Sequence, residues 1–289
     1  MRIASNPGIV RTGILPAGAR ARLLVSGCLA GVAIALAAGG GLAKSRADLQ
    51  KACDRSEWEA CTALAVMLLQ GQDGPKDESR GREILAKACD GGEALGCLNL
   101  AVVLTNGQGG PKDGLLARSV LEKACGKGLS RACHLLGVLW DTGEGGPLDQ
   151  ARGREYLAKA CEGGFTDGCL LLALKWKKGE GGPKDIARFR EFAEKACRAR
   201  NGLACNRVAS DYQFPAEGPP DLAKAREYRL LGCDIGWWQD CHELGVLLAE
   251  GKGGPADPAK ASEVFRKACE HDVKEACSRL PGRQPKGHE

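Results

Sequence analysis

Aromatic side chains are scarce in this chain of 289 residues, where Phe, Trp and Tyr together make up 4%. So thin a supply leaves few platforms on which nucleic-acid bases could stack. A surplus of one charge sign is missing too, once the N-terminus is set aside. The formal net charge is +5, from 41 Lys and Arg against 36 Asp and Glu. Residues 1–44 hold Arg2, Arg11, Arg20, Arg22 and Lys44 and no acid, so the remainder carries 41 − 5 = 36 basic side chains against 36 acidic ones. A nucleic-acid binder concentrates Lys and Arg on one face, and this balance argues against that class. Histidine is down to four residues, His134, His242, His271 and His288. No His-x-x-x-His pair exists to seed a metal centre, so no metal and no cofactor is expected. Ser-x-x-Lys and Lys-Thr-Gly are missing, and Ser210-Asp211-Tyr212 breaks the Ser-Asp-Asn element of serine acyl transfer. A Gly-x-Ser-x-Gly elbow and a Lys-Ser/Thr phosphate cradle are absent as well. The residues themselves supply no catalytic machinery.

Only one long apolar run exists, Leu23 to Ala43, preceded by Arg20 and Arg22. A positive start, an apolar stretch and small residues before a polar segment are the pattern of an export signal. Ala35-Leu36-Ala37 and Gly41-Leu42-Ala43 both offer small-x-small cleavage sites. Left uncut, the run is long enough to span a bilayer as an anchor. Val25-Ser26-Gly27-Cys28 resembles a lipobox, but too few uncharged residues separate Arg22 from Cys28 for an apolar core. The acid-free, Arg-bearing start is also compatible with a mitochondrial transit peptide. Residues 1–44 are therefore read as an export signal or membrane anchor, and 281–289 as a disordered tail.

What the chain has in quantity is cysteine, on a strict ruler. Seven Cys-x7-Cys pairs recur every 36 residues: Cys53/Cys61, Cys89/Cys97, Cys125/Cys133, Cys161/Cys169, Cys197/Cys205, Cys233/Cys241 and Cys269/Cys277. A fixed period of this size marks a solenoid whose units bury their apolar faces on one another. Paired cysteines in every unit suggest staples and an oxidising compartment. Residues eight apart on one helix lie about 12 Å apart at ~1.5 Å rise, whereas a disulfide needs Cα atoms within roughly 7 Å. The chain must therefore turn back between partners, which Gly91-Gly92 and Gly163-Gly164 permit. Reduced thiols buried as small core residues are the competing arrangement. Zinc fails on ligand count.

With units starting at Glu57, Glu93, Leu129, Phe165, Asn201 and Trp237, positions eight, nine and twelve are apolar or small, as in Leu64, Ala65 and Leu68. Together with the Cys at position five they form one helical stripe, helix A. A loop such as Gly179-Glu180-Gly181-Gly182-Pro183-Lys184-Asp185 follows. Its first Gly suits a left-handed helix end. Its last residue is Asp in all six copies (Asp77, Asp113, Asp149, Asp185, Asp221, Asp257), the N-cap of helix B. The all-α array is thus a half repeat at 45–56, six full repeats at 57–92, 93–128, 129–164, 165–200, 201–236 and 237–272, and a half repeat at 273–280.

Paired antiparallel helices, the G-x-G-G-P-K-D loop and the Lys-Ala-Cys helix end resemble the Sel-like repeats, relatives of the tetratricopeptide repeats. Cysteine at both ends of the turn is similar to the Helicobacter cysteine-rich protein family. The resemblance covers residues 45–280. It implies a right-handed α/α superhelix with a concave groove, one disulfide per unit, and an exported protein that binds other proteins or peptides. It also brings a penicillin-binding or weak β-lactamase activity as the alternative. A mitochondrial intermembrane-space assembly factor is the second alternative. A monomer with a protein or peptide partner, free of nucleic acid and touching membrane only through an N-terminal anchor, is expected.

Helix-A positions seven and eleven share a face and vary most between copies. Polar residues there, Asn99, Lys175, Arg207 and Asp211, are expected to be exposed and to contact the partner, with Tyr212 and Trp238 as anchors. The fifth unit breaks the pattern: Tyr212-Gln213-Phe214-Pro215 replaces the usual end of helix A, and Leu230-Leu231-Gly232-Cys233 replaces Lys-Ala-Cys. Irregularity of this kind often accompanies a bend or a binding site.

Overall fold

The computed structural model describes residues 45–280, so the export-signal, anchor, lipobox and tail assignments lie outside the described residues. Among the described residues there are fourteen helices and no strand. They run α1 (Arg46–Asp54), α2 (Trp58–Gln70), α3 (Glu78–Asp90), α4 (Ala94–Asn106), α5 (Gly114–Gly126), α6 (Ser130–Thr142) and α7 (Gln150–Glu162). Then come α8 (Thr166–Lys178), α9 (Ile186–Arg198), α10 (Gly202–Gln213), α11 (Leu222–Asp234), α12 (Trp238–Ala249), α13 (Pro258–Glu270) and the single turn α14 (Lys274–Cys277). None is long and apolar enough to cross a membrane.

Each helix starts and stops for reasons written in its ends. The six loop aspartates cap helix B as expected: each side chain accepts the backbone N–H three residues on, for example Arg80 onto Asp77 at 3.0 Å and Lys260 onto Asp257 at 2.9 Å. Helix A closes on a left-handed glycine in most repeats, such as Gly71 with φ 71° and Gly179 with φ 74°. The fifth repeat has no such glycine, and α10 leaves through Phe214 at φ −134°.

The turn between repeats reverses the chain tightly enough for the staples. Six disulfides, Cys53–Cys61, Cys89–Cys97, Cys161–Cys169, Cys197–Cys205, Cys233–Cys241 and Cys269–Cys277, hold Cα pairs 4.4–4.7 Å apart, and Cys125 and Cys133 are disulfide-bonded too. One residue of the turn adopts positive φ, usually glycine, but Ser56, Arg200 and Asp272 hold it at 63–68°.

The chain divides into two compact bodies, one running to Lys127 with Val138–Leu148 added, the other Gly128–Gly137 with the residues from Asp149 onward. In the first, α2 packs on α3, α4 on α5, and α2 on α4. Leu64, Ala65, Leu68, Leu85, Leu100, Ala101, Leu104 and Leu121 are buried there, the apolar stripes of both helix types. In the second, consecutive helices from α7 onward pack in turn, around Leu157, Leu172, Ala173, Phe189, Ala193, Val208, Ala209 and Tyr228. Small residues at position nine serve close packing: a Cβ on Gly137 would press on Leu157 Cγ at 2.9 Å.

Candidate functional site in the fifth repeat

Asn99 belongs to the first body, and the other five nominated residues belong to the second. Exposure, expected of the four polar residues, is corrected for Asn99, Lys175 and Asp211. Asn99, Lys175, Asp211 and Tyr212 are all buried. In α4 every residue from Gly96 to Thr105 is buried, because α2, α3 and α5 all pack against it. Position seven therefore faces a neighbour there, and neither amide atom of Asn99 has a hydrogen-bond partner among the described residues. Lys175 pairs with Glu180 at 3.4 Å. Arg207 is exposed. Trp238 is half-buried and stacks flat on His271 with ring centroids 3.7 Å apart.

Only Asp211 and Tyr212 meet in one cluster, and its other members went unnoticed in the sequence. They became legible once one arginine per repeat was followed: Arg46, Arg82, Arg118, Arg154, Arg190 and Arg226 stand 36 residues apart. This arginine reaches over the next repeat and donates to carbonyls of its loop. Arg46 binds Pro75 O at 2.9 Å, Arg82 binds Pro111 O at 2.8 Å, and Arg226 binds Pro255 O at 3.0 Å. Arg118 holds Glu144 O and Leu139 O, and Arg154 holds Glu180 O and Lys175 O. Arg118 and Arg154 also lie over the rings of Trp140 and Trp176 at 4.0 and 3.8 Å.

Arg190 departs from this pattern. It keeps the ring contact, over Tyr212 at 4.7 Å, but its Nε donates to Asp211 Oδ2 at 2.8 Å. Lys177 reaches the other Asp211 oxygen at 2.7 Å. Tyr212 donates its hydroxyl to Glu194 at 2.5 Å, and its ring lies parallel to Tyr228 with centroids 5.9 Å apart. Burial, then the hydrogen bond to Glu194, push both tyrosine hydroxyls well above their ordinary pKa, so both stay protonated donors. An open cleft of about 670 Å³ adjoins the cluster, lined by Arg190, Tyr212, Pro219, Pro220, Leu222 and Lys224 among others.

A second polar group lies in the core behind it. Arg229 occupies the position of Leu85, Leu121 and Leu157, and Asp240 that of Ala60, Ala132 and Ala204. The two form an ion pair, with Asp240 fully buried and Arg229 at 3% exposure. Asn206 donates to Asp240 at 2.8 Å, and Arg229 donates to Ser210 at 2.9 Å. Gly232 stands where other repeats have Ala88, Ala124 or Ala160, and a Cβ there would overlap the Asp240 carboxylate. The break in Lys-Ala-Cys is the room that Asp240 requires. Burial raises the Asp240 carboxyl above its usual pKa despite the neighbouring Arg229.

His134 and His242 are buried, and desolvation lowers both, His134 to about 4. No group of three or more metal-ligating side chains occurs among the described residues.

Comparison with known proteins places these features. The model of the Sel1 repeat matches residues 58–93, 94–129, 130–165, 166–201, 202–235 and 239–273. A search of curated proteins finds no match. The protective antigen c5321 of uropathogenic Escherichia coli, displaying an SLR fold, is 24% identical with a TM-score of 0.70, covering 82% of this chain and 51% of that one. The chain thus spans about half the length of that antigen. A Sel1 repeat protein of Oxalobacter formigenes is 22% identical with a TM-score of 0.58, covering 75% and 89%. Cysteine rich protein B of Helicobacter pylori is 30% identical over 45% of this chain and 94% of that one, with a TM-score of 0.38.

Proposed function

This chain belongs to the Sel1 repeat family, and on that premise we propose that it is an exported, disulfide-stapled scaffold that binds a protein or peptide partner and performs no reaction of its own. The observation that carries this reading is the fifth repeat. There a regular apolar array gives up core positions to Arg229 and Asp240 and opens a cleft beside Tyr212. Burying charge costs stability unless it is well paired, and local departures from an otherwise consistent design concentrate at functional sites. The staples support the compartment, because structural disulfides persist in the periplasm and outside the cell but are reduced in cytosol. The apolar run 23–43 supports export, cut as a signal or kept as an anchor.

Affinity capture from an envelope extract tests the proposal. The oxidised protein is the bait, and the same protein reduced and alkylated is the control. A protein retained by the oxidised array alone supports the scaffold. If neither bait retains one and the pure oxidised protein hydrolyses a chromogenic β-lactam, the enzymatic alternative replaces it.

A further inference from the structure

Among the described residues, the fifth loop is the one place where the arginine reaching from the preceding repeat makes no bond to a loop carbonyl. In the other loops a glycine lies against that arginine: a Cβ on Gly110 would meet Arg82 at 2.8 Å, on Gly182 Arg154 at 2.8 Å, and on Gly254 Arg226 at 2.9 Å. The equivalent Gly218 has nothing within 4 Å. The cause is local. Pro215 cannot take the left-handed conformation that the glycine at this loop position adopts elsewhere, so the chain leaves α10 extended and the loop stands off. Glu217 also fills the place where Gly109, Gly181 and Gly253 touch the first turn of the preceding helix B. The two terminal guanidinium nitrogens of Arg190 are left without a hydrogen bond among the described residues.

The charges around the cleft do not cancel. Asp211 is shared by Lys177 and Arg190. Asp221 caps α11 through the Lys224 N–H, Glu194 serves Tyr212 and Arg198, and Glu217 pairs with Lys184. Lys224 has no carboxylate partner among the described residues, and its Nζ lies 3.4 Å from the Tyr212 hydroxyl and 4.9 Å from its ring centroid. Two cationic groups thus flank an aromatic ring, with Pro219, Pro220 and Leu222 as the apolar wall.

We propose that this cleft binds an acidic segment of a partner protein, an Asp or Glu side chain seating between the Arg190 guanidinium and Lys224 while an adjoining apolar residue rests on Pro219 and Leu222. A carboxylate suits a planar guanidinium with free donors, and the apolar wall distinguishes a peptide from a bare anion. This inference rests on the scaffold reading. The test screens the oxidised full-length protein against an array of end-blocked nonapeptides, with fluorescence anisotropy on the selected sequences. Selected peptides should carry Asp or Glu and lose at least tenfold in affinity on Glu→Gln exchange. Lys224→Glu should cost the same factor, Lys224→Arg should keep binding, and Lys260→Glu, at an exposed position of the last full repeat, should leave it unchanged. Selection of non-acidic peptides, or equal binding by Lys224→Glu, overturns the cleft and leaves the scaffold standing. Displacement of nothing but inorganic phosphate overturns it in favour of a small-anion site. Selection of no peptide overturns it as well, and the capture experiment then decides whether the scaffold falls with it.

Discussion

Replacing Asp240 with alanine should cost this array more than almost any other single polar change. The carboxylate is fully buried, and the Arg229 guanidinium that it neutralises is 3% exposed. Without it, Arg229 keeps only neutral acceptors, Ser210 at 2.9 Å and Gln213 at 3.4 Å. An uncompensated buried charge of this kind costs about 3–5 kcal/mol. Gly232→Ala should cost about 1–3 kcal/mol by overpacking, since its Cβ would overlap the same carboxylate. The triple change Arg229→Leu, Gly232→Ala, Asp240→Ala restores the residues that other repeats carry. It should return stability to within about 1 kcal/mol of the parent or exceed it, because desolvation of an ion pair offsets most of its attraction. The raised Asp240 pKa points the same way, with burial outweighing Arg229. Urea unfolding of the oxidised proteins, followed by Trp237 and Trp238 fluorescence in a background with Trp58, Trp140 and Trp176 replaced by Phe, reports locally where a repeat array need not unfold as one. A loss below about 1 kcal/mol for Asp240→Ala, or a triple variant as unstable as the single, would refute the reasoning.

Removing one staple, Cys161→Ala with Cys169→Ala, should lower stability by about 2–3 kcal/mol through loop closure, read by the same unfolding. Arg200 sits at φ 68° where Gly92, Gly128, Gly164 and Gly236 stand in other turns, so Arg200→Gly should raise the thermal midpoint, with a gain of about 1 kcal/mol. His134 is buried beside Phe165 with its pKa held down to about 4 from 6.5. A base with a lowered folded pKa stabilises the fold in its neutral form, so this stability is complete above pH 6.5 and lost as pH falls towards 4. The loss should reach about 3 kcal/mol, and His134→Leu, the residue at Leu98 and Leu170, should flatten that part of the pH profile.

The fold was legible because its signals are local and repeated. Cysteine spacing implied the turn, Asp77 and its five equivalents capped helix B, and Leu64, Ala65 and Leu68 marked the buried stripe. The binding residues were read less well. Asn99 and Lys175 looked like surface because they are polar, but a helix flanked on several sides buries its polar positions too. Tyr212 was singled out as an anchor, yet its neighbours Arg190, Lys177 and Lys224 come from other helices, and no local pattern joins them. In the sequence Gly232 reads only as a break in Lys-Ala-Cys, and Arg229 and Asp240 carry no local signal of their own. Only their contact in space shows that the glycine makes room for the acid and the acid answers the arginine.

Site-specific photocross-linking in intact cells tests the central claim most directly. The photoreactive residue would replace Phe214, which is 72% exposed at the end of the fifth repeat's helix A, or Leu115, equally exposed at 72% in the first body. A protein adduct from position 214 and none from 115 is the predicted result. Adducts from position 115 alone, or from neither, would contradict a scaffold that engages its partner through the fifth repeat.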